Sequence, residues 1–397
     1  ADDAAAARAR VAIASGIVPA FRSLAAFLKD EYIPACRETI GLSRGIDGAA
    51  AYAQRLRFYT TTNLTADEIH EIGLREVARL RSEMIGLIAE TDFPEKGSLS
   101  GDALFAAFLA YLRSEQRFYF TNEEEMLTGY RDICKRLDPE LPRLFRTLPR
   151  NTYGVRAIPR FASSTSPAAY YYPGSARSGV PGYFMVNAGR LDQRPRYGMV
   201  SLTIHEAVPG HHFQGSIADE LDAVHTFRTL TSYTAYVEGW ALYAEKLGLE
   251  MNPGPGLRRL DAEHANPQRG FYADPYDNFG RLSDEIWRAC RLVVDTGLHA
   301  KDWTRERAIA YMLENTAGTE ADSVSEVDRY ISWPGQACAY KIGELTISRL
   351  RARAEERLGP KFDLRAFHDA VLLGGALPMP ALEARVNRWA EQEARRP

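Results

Sequence analysis

Several motifs that mark common protein classes are missing from this sequence of 397 residues. Its four cysteines are scattered and form no C-x-x-C pair, which excludes a zinc knuckle and a dithiol redox motif. They are expected to be buried thiols rather than a disulfide framework. The chain has no glycine-rich phosphate loop and no G-x-S-x-G motif, so kinase and serine-hydrolase activities have no support.

Strong net charge and long apolar runs are missing as well. The formal net charge is −3, so a nucleic-acid partner is not expected. No uninterrupted run of eighteen apolar residues occurs, so we expect a soluble protein without a membrane span. The scattered cysteines weakly favour a reducing compartment, but a start at Ala1 without methionine also fits a trimmed signal peptide. Cytoplasmic and exported locations both stay open, and nothing in the sequence indicates an oligomeric state.

What is present is a largely helical pattern. Residues 4–30 predict a helix that Pro19 kinks or divides, and residues 65–68 (TADE) form a capping box that starts a long helix. A second capping box, residues 323–326 (SVSE), predicts another helix start. Between these boxes, aromatic and β-branched residues predict three strands, which cover residues 151–159, 168–172 and 182–187.

Three of the eight histidines lie within residues 205–214 (HEAVPGHHFQ). A His-Glu pair followed within about two turns by another histidine is the outline of a metallopeptidase helix. In such a helix the histidines hold zinc and the glutamate is the general base. The usual spacing is H-E-x-x-H, but here Pro209 occupies the position of the second ligand. In an undistorted helix neither His211 nor His212 returns to the face of His205.

Pro209 and Gly210 indicate how the spacing is accommodated. Proline removes a helical hydrogen bond and glycine relaxes the backbone, so a widened, π-like turn over residues 208–210 would bring His211 back beside His205. We therefore expect His211 as the second ligand, with its neighbour in the sequence, His212, as the alternative. The plainer interpretation of the motif is a helix end with solvated histidines.

A third ligand is available downstream. Glu238 lies between Tyr236 and Trp240 in a predicted helix, and a carboxylate in so apolar a neighbourhood needs a partner or a metal. Glu245 follows two turns later. It is either a group that supports a ligand or, as we expect, a solvated or structurally paired side chain.

Residues 205–214 and 237–243 (VEGWALY) resemble the signature of the bacterial DUF885 family, which is similar to the zincin-like metallopeptidases whose third ligand is glutamate. Supporting segments cover nearly the whole chain; they are residues 64–70, 181–187, 295–299 and 329–337. The resemblance implies a mainly α, zincin-like fold with a small sheet beside the metal-binding helix, and one zinc ion per chain on His205, His211 and Glu238. Members are longer at the N-terminus, so we expect this chain to be the C-terminal portion of a longer one.

The resemblance also implies where a substrate binds. Zincin-like enzymes pair an extended substrate with an edge strand beside the metal helix, and strand addition of this kind recruits peptide backbone. Residues 182–187 are expected to take this role, with Tyr183, Asn187 and His212 as substrate-binding residues. The alternative is an ordinary strand of the sheet.

Later residues supply the remaining candidates. A tetrahedral intermediate needs a hydrogen-bond donor besides the metal, and zincin-like enzymes often take a tyrosine or histidine from a distant segment. Tyr340 and Tyr330 are the candidates, with a structural role as the alternative for each. Arg329 is a candidate clamp for a substrate carboxylate, which would make the protein an exopeptidase; the alternative is a surface ion pair.

We therefore predict zinc-dependent hydrolysis of peptides or small peptide-like amides, with Glu206 as general base. The alternatives are a hydrolase of non-peptide amides or esters, and a non-catalytic peptide-binding protein on the same scaffold. The chain is expected to form one large domain over residues 1–397. Its residues 1–145 form a helical part, and residues 146–397 carry the sheet, the His-Glu motif and the third ligand.

Overall fold

The computed structural model describes residues 3–163, 166–222, 224–225, 227–228, 231–257 and 259–396. The chain folds into two units, Ala1–Ile40 and Gly41–Pro397. The described part of the larger unit is mainly helical with one small sheet, as the sequence predicts. The predicted division near residue 145 stays a prediction. Three of the four free cysteines are buried, as expected, and Cys36 is exposed.

The N-terminal unit is built on one helix over Asp3–Tyr32. Two α-helical stretches and two π-helical turns alternate along it: α1 (Asp3–Ala12), Ile13–Ile17, α2 (Val18–Phe27) and Leu28–Tyr32. Pro19 lies in the first turn of α2, where proline is tolerated, and the α-helical pattern is interrupted just before it by the π-helical turn at Ile13–Ile17. By length and composition this helix is apolar enough to cross a membrane, although charged residues interrupt its apolar runs in the sequence. The absence of a membrane span stays a prediction.

The described residues of the larger unit form helices that follow one another along the chain, several of them separated by 3₁₀ turns. They are α3 (Gly48–Thr60), α4 (Ala66–Ile88), α5 (Gly101–Ser114), α6 (Glu123–Leu137), α7 (Leu141–Leu144), α8 (Met199–Glu206), α9 (His211–Glu220), α10 (Thr234–Leu247), α11 (Pro275–Ala300), α12 (Arg305–Asn315), α13 (Glu320–Ser332), α14 (Ala339–Leu358), α15 (Leu364–Leu372) and α16 (Met379–Arg395).

Side-chain caps define where several of these helices begin. The capping box predicted at residues 65–68 is present: the Glu68 N–H donates to the Thr65 hydroxyl, and the Thr65 N–H donates to the Glu68 carboxylate. The second predicted box is wrong. Helix α13 begins earlier, where the Asp322 N–H donates to the hydroxyl of Thr319, and Ser323 is buried inside the helix.

The sheet consists of β1 (Tyr153–Ala157), β2 (Ala169–Tyr172) and β3 (Gly182–Val186), close to the three predicted strands. Strand β3 lies in the centre, parallel to β1 and antiparallel to β2. The prediction that residues 182–187 form an edge strand for substrate is therefore wrong, because β3 is paired on both sides. An ordinary sheet strand, the stated alternative, describes it.

Helices α10 and α14 meet at two glycines. A Cβ atom on Gly239 would lie 2.5 Å from the carbonyl carbon of Gly343, and a Cβ atom on Gly343 would lie 1.9 Å from the carbonyl oxygen of Ala235. No larger residue fits these two positions without moving the helices. Because Gly239 follows Glu238 and Gly343 lies one turn after Tyr340, the contact holds two of the predicted site residues on neighbouring helices.

We expect Gly343→Ala to destabilise the protein by at least about 2 kcal/mol, because the added methyl group meets backbone atoms. Gly86→Ala is the matched control. Gly86 lies on the exposed face of α4, no described atom lies within 4 Å of its Cβ position, and alanine there should stabilise by about 0.5–1 kcal/mol. Chemical denaturation measures both effects, and a neutral Gly343→Ala would contradict the close packing of α10 and α14.

Candidate metal centre

The His-Glu motif spans a break between two helices. Helix α8 ends at Glu206, and α9 begins at His211. Between them Ala207 and Gly210 have non-helical backbone angles, and the Val208–Pro209 peptide bond is cis. The predicted π-like widening of a continuous helix is therefore wrong, since the helix stops and restarts.

Two hydrogen bonds hold this break in shape. The Gly210 N–H donates to the Ile204 carbonyl over 3.0 Å, and the indole N–H of Trp240 donates to the Pro209 carbonyl over 2.8 Å. Glycine is required at 210 because a Cβ atom there would lie 1.9 Å from the carbonyl oxygen of His205. Since Trp240 belongs to α10, its bond ties the break to the helix that carries the predicted third ligand.

His205, His211 and Glu238 lie together at this point. The Oε2 atom of Glu238 is 3.6 Å from Nε2 of His205 and 3.4 Å from Nε2 of His211. The two imidazole rings have centroids 4.7 Å apart and are nearly perpendicular. One ligand atom from each of the three side chains lies within 4.8 Å of the others, so the set could hold a single metal ion.

The chemistry of these donors fits zinc. Two imidazole nitrogens and one carboxylate oxygen are a donor set of catalytic zinc sites, which keep a fourth position open. Burial lowers the pKa of His205, but its bonds to Glu238 and Glu245 outweigh burial and raise that pKa to about 10. Burial likewise opposes the ionisation of Glu238, but the two histidines hold its pKa well below the usual range. The surroundings of His205 therefore favour positive charge, which a divalent cation supplies.

Glu245 supports the first candidate ligand. It is buried, and its Oε1 atom lies 2.7 Å from Nδ1 of His205, which leaves Nε2 facing Glu238. A carboxylate behind a ligating histidine is common at zinc sites and orients the ring. The expectation of a solvated Glu245 is therefore wrong, whereas the expectation of a structurally paired side chain agrees with its bond to His205. Its position two turns after Glu238, on the same helical face, is the sequence signal for the supporting role.

Glu206 is buried beside the first candidate ligand, with 7% of its surface exposed. Its Oε2 atom has no hydrogen-bond partner within the described ranges of the chain. A buried carboxylate oxygen is costly to leave unpaired, so it suits a group that receives a proton or a donor during function. This is the requirement for a general base acting on water.

His212 points away from this cluster. Its Nδ1 atom lies 3.1 Å from the Tyr171 hydroxyl, and its ring lies 4.6 Å from that of Tyr153, so it packs against the sheet. Burial lowers the pKa of His212 to about 4, which keeps the ring neutral. The sequence leaves His211 and His212 as alternative second ligands. The geometry favours His211, and the described contacts of His212 do not include the cluster.

Tyr340 is the better placed of the two predicted tyrosines. Burial and then the negative charge of Glu238 raise the pKa of Tyr340, so the phenol keeps its proton and lies within electrostatic reach of the candidate ligand. Its hydroxyl accepts a long hydrogen bond, 3.4 Å, from the Gln336 amide. The hydroxyl proton can therefore be donated to another group.

Tyr330 and Arg329 are both engaged with Glu326. The buried Tyr330 hydroxyl donates to Glu326 over 2.8 Å, which favours its structural alternative. Arg329 places Nε and Nη2 at 2.9 Å from the two oxygens of the same glutamate, and Nη1 at 2.7 Å from Gln336. The ion pair considered as the alternative for Arg329 is present, although it is half-buried.

Tyr183 and Asn187, the other predicted substrate-binding residues, contact residues of the sheet and of the loop before β2. The Tyr183 ring lies 3.6 Å below the guanidinium of Arg156. Asn187 is fully buried, and its amide donates to backbone carbonyls that include those of Ser163 and Ser166. Neither side chain contacts the candidate ligands in the contacts that the structure describes.

Two solved structures are similar to this chain. One, described as a "putative lipoprotein" from Colwellia psychrerythraea, has a TM-score of 0.85 and 34% sequence identity over 96% of this chain. Another, described as a "putative lipoprotein of unknown function" from Shewanella oneidensis, has a TM-score of 0.69 and 20% identity over 91% of this chain, which supports the fold alone. This chain spans 62% of the length of each of those chains.

The comparison with curated proteins gives no match. A sequence profile described as "Bacterial protein of unknown function (DUF885)" matches residues 1–386, nearly the whole chain. The match includes the break between α8 and α9, the sheet and the helix that carries Glu238. The chain therefore belongs to the DUF885 family, as the motifs at residues 205–214 and 237–243 predict.

Proposed function

We propose that this protein is a zinc-dependent hydrolase of peptide or peptide-like amide bonds, related to the zincin-like metallopeptidases. The observation that carries the proposal is the meeting of His205, His211 and Glu238 beside Glu206, a buried base whose Oε2 atom has no partner among the residues described. A structural zinc site has four protein ligands, whereas three ligands leave a position for chemistry. The donor count and the adjacent base together favour catalysis over a structural role.

Each residue has one task in this proposal. The two histidines and Glu238 would hold the zinc ion, which would supply a Lewis acid for water and for the carbonyl of the substrate. Glu206 takes the proton from the attacking water and returns it to the leaving amine. Tyr340 donates a hydrogen bond to the substrate oxygen that becomes negative during the attack. Glu245 keeps the ring of His205 oriented.

The proposal extends to location. The helix over Asp3–Tyr32 fits a signal sequence in length and composition, and the similar protein from Colwellia psychrerythraea is described as a "putative lipoprotein". We infer that the protein is exported, so that its substrates would be peptides or peptide-like amides outside the cytoplasm.

Purified protein is expected to bind one zinc ion per chain, measured by elemental analysis after equilibration with buffered zinc. His211→Ala and Glu238→Gln should each weaken zinc binding by at least about a hundredfold, because the first removes a ligand nitrogen and the second removes the negative charge of the ligating carboxylate. His212→Gln is the matched control, since this neighbouring histidine contacts Tyr171 instead. Loss of zinc in His212→Gln with retention in His211→Ala would reverse the ligand assignment.

Glu206→Gln should keep its zinc and lose catalysed cleavage by roughly 10²–10⁴-fold, because the amide cannot take up a proton. Cleavage of a mixed peptide library, followed by mass spectrometry, measures the loss. The unaltered protein treated with a chelator serves as the control for zinc dependence. Full turnover by Glu206→Gln would remove this residue from the role of base.

Glu245→Gln should weaken zinc binding by roughly 10–100-fold while leaving the three ligands in place, because the histidine loses its charged partner. Competition with a zinc-binding dye gives the affinity. An affinity equal to that of the unaltered protein would mean that the bond between Glu245 and His205 does not support the site.

A further inference from the structure

Two arginines beside the candidate site share one carboxylate. Nη2 of Arg291 lies 2.8 Å from Glu326, and Arg329 binds both oxygens of the same glutamate at 2.9 Å. Burial raises the pKa of Glu326, but the two arginines outweigh burial and hold that pKa well below its usual range. The group of three therefore carries one excess positive charge in a mostly buried place, where an unbalanced charge is costly.

Arg291 holds a buried donor without a partner among the described residues. It is 8% exposed; its Nε donates to the Tyr330 hydroxyl over 3.0 Å and its Nη2 to Glu326. Its Nη1 has no hydrogen-bond partner in the part of the chain that the structure describes. Arg329, by contrast, already uses Nε, Nη1 and Nη2 on Glu326 and Gln336. A carboxylate clamp is therefore better placed at Arg291 than at Arg329, where the sequence predicts it.

Two contacts place the face of α11 that carries Arg291 beside side chains that neighbour the candidate metal ligands. The Arg291 guanidinium lies 4.3 Å above the ring of Tyr340, the phenol that the charge of Glu238 reaches. One helical turn earlier on α11, Nη2 of Arg288 lies 3.7 Å from Glu245, the carboxylate that supports the first ligand. The Nε atom of Arg288 also has no partner among the described side chains and backbone. This face of α11 thus carries two buried cationic donors without partners among the described residues, close to Tyr340 and Glu245.

We propose that Arg291 binds the C-terminal carboxylate of the substrate through its free Nη1. A guanidinium binds a carboxylate by charge-assisted hydrogen bonds that a neutral amide does not replace. The inference rests on the proposed hydrolysis and names its substrate class, which is peptides with a free C-terminus cleaved close to that end. Arg329 is a positioning residue that holds Glu326, and through it Arg291.

Two mixed libraries of N-acetylated octapeptides test the inference, one with free C-terminal carboxylates and one with C-terminal amides. With the zinc-loaded protein we expect short C-terminal fragments from the free-acid library and cleavage of the amidated library that is slower by at least about tenfold. Equal cleavage of the two libraries, or cleavage at internal bonds regardless of the C-terminus, would overturn the inference and leave the proposed hydrolysis intact.

Binding gives a second readout that does not need turnover. Immobilised Glu206→Gln protein should retain free-acid peptides at least about tenfold better than amidated peptides, and adding Arg291→Gln should abolish the difference. Arg353→Gln is the matched control, since Arg353 forms an exposed ion pair with Glu383 and should leave the preference unchanged. If the Arg291 variant does not fold, the two libraries compared on Glu206→Gln protein alone still decide the question.

The two proposals fail in different ways. A preference for free-acid peptides in binding, without cleavage of either library by the zinc-loaded protein, would support the carboxylate site and refute the hydrolysis. Cleavage without any preference would refute the carboxylate site. The absence of both cleavage and preference would refute both proposals.

Discussion

The hydrogen bond from the Trp240 indole to the Pro209 carbonyl is the contact on which the arrangement of the site depends. Two histidines separated by five residues do not share a face of a regular helix. The first helix must therefore end between them, and a second helix must begin. The indole binds the backbone within this interruption. Because Trp240 lies two positions after Glu238 in the same helix, this hydrogen bond also brings the Glu238 carboxylate close to the imidazoles of His205 and His211.

A network of buried charged side chains links α10, α11 and α14. The Nζ atom of Lys341 lies 2.7 Å from Glu285 and 2.8 Å from Glu344, and Lys246 reaches Glu344 over 2.7 Å. Each of these charges has an opposite partner, which offsets the cost of burial, and loss of one partner would leave a charge uncompensated. Lys246 directly follows Glu245 in the chain, and Lys341 directly follows Tyr340. The network therefore also fixes the backbone positions from which the Glu245 and Tyr340 side chains extend.

The sequence was sufficient for features that depend on near neighbours. A histidine–glutamate pair and a carboxylate in an apolar helix identify candidate ligands by their chemistry, and the box at Thr65 marks a helix start, although the same spacing at residues 323–326 does not. Features that depend on contacts between residues far apart in the chain could not be predicted from the sequence. Pro209 and Gly210 indicate that the helix is interrupted, but they do not give the geometry of the interruption. The central place of β3 depends on its pairing with β1, which lies far upstream in the chain. The buried donor of Arg291 depends on side chains from α13, so spacing along α11 does not reveal it.

The glycine contact between α10 and α14 has a consequence for the rigidity of the candidate site. Where backbone meets backbone, as at Gly239 and Gly343, no rotamer change can widen or narrow the gap. The separation between the backbones of Glu238 and Tyr340 is thus set by main-chain contact. Thermal fluctuation of neighbouring side chains leaves that spacing unchanged, which is what preorganised stabilisation of a developing charge requires.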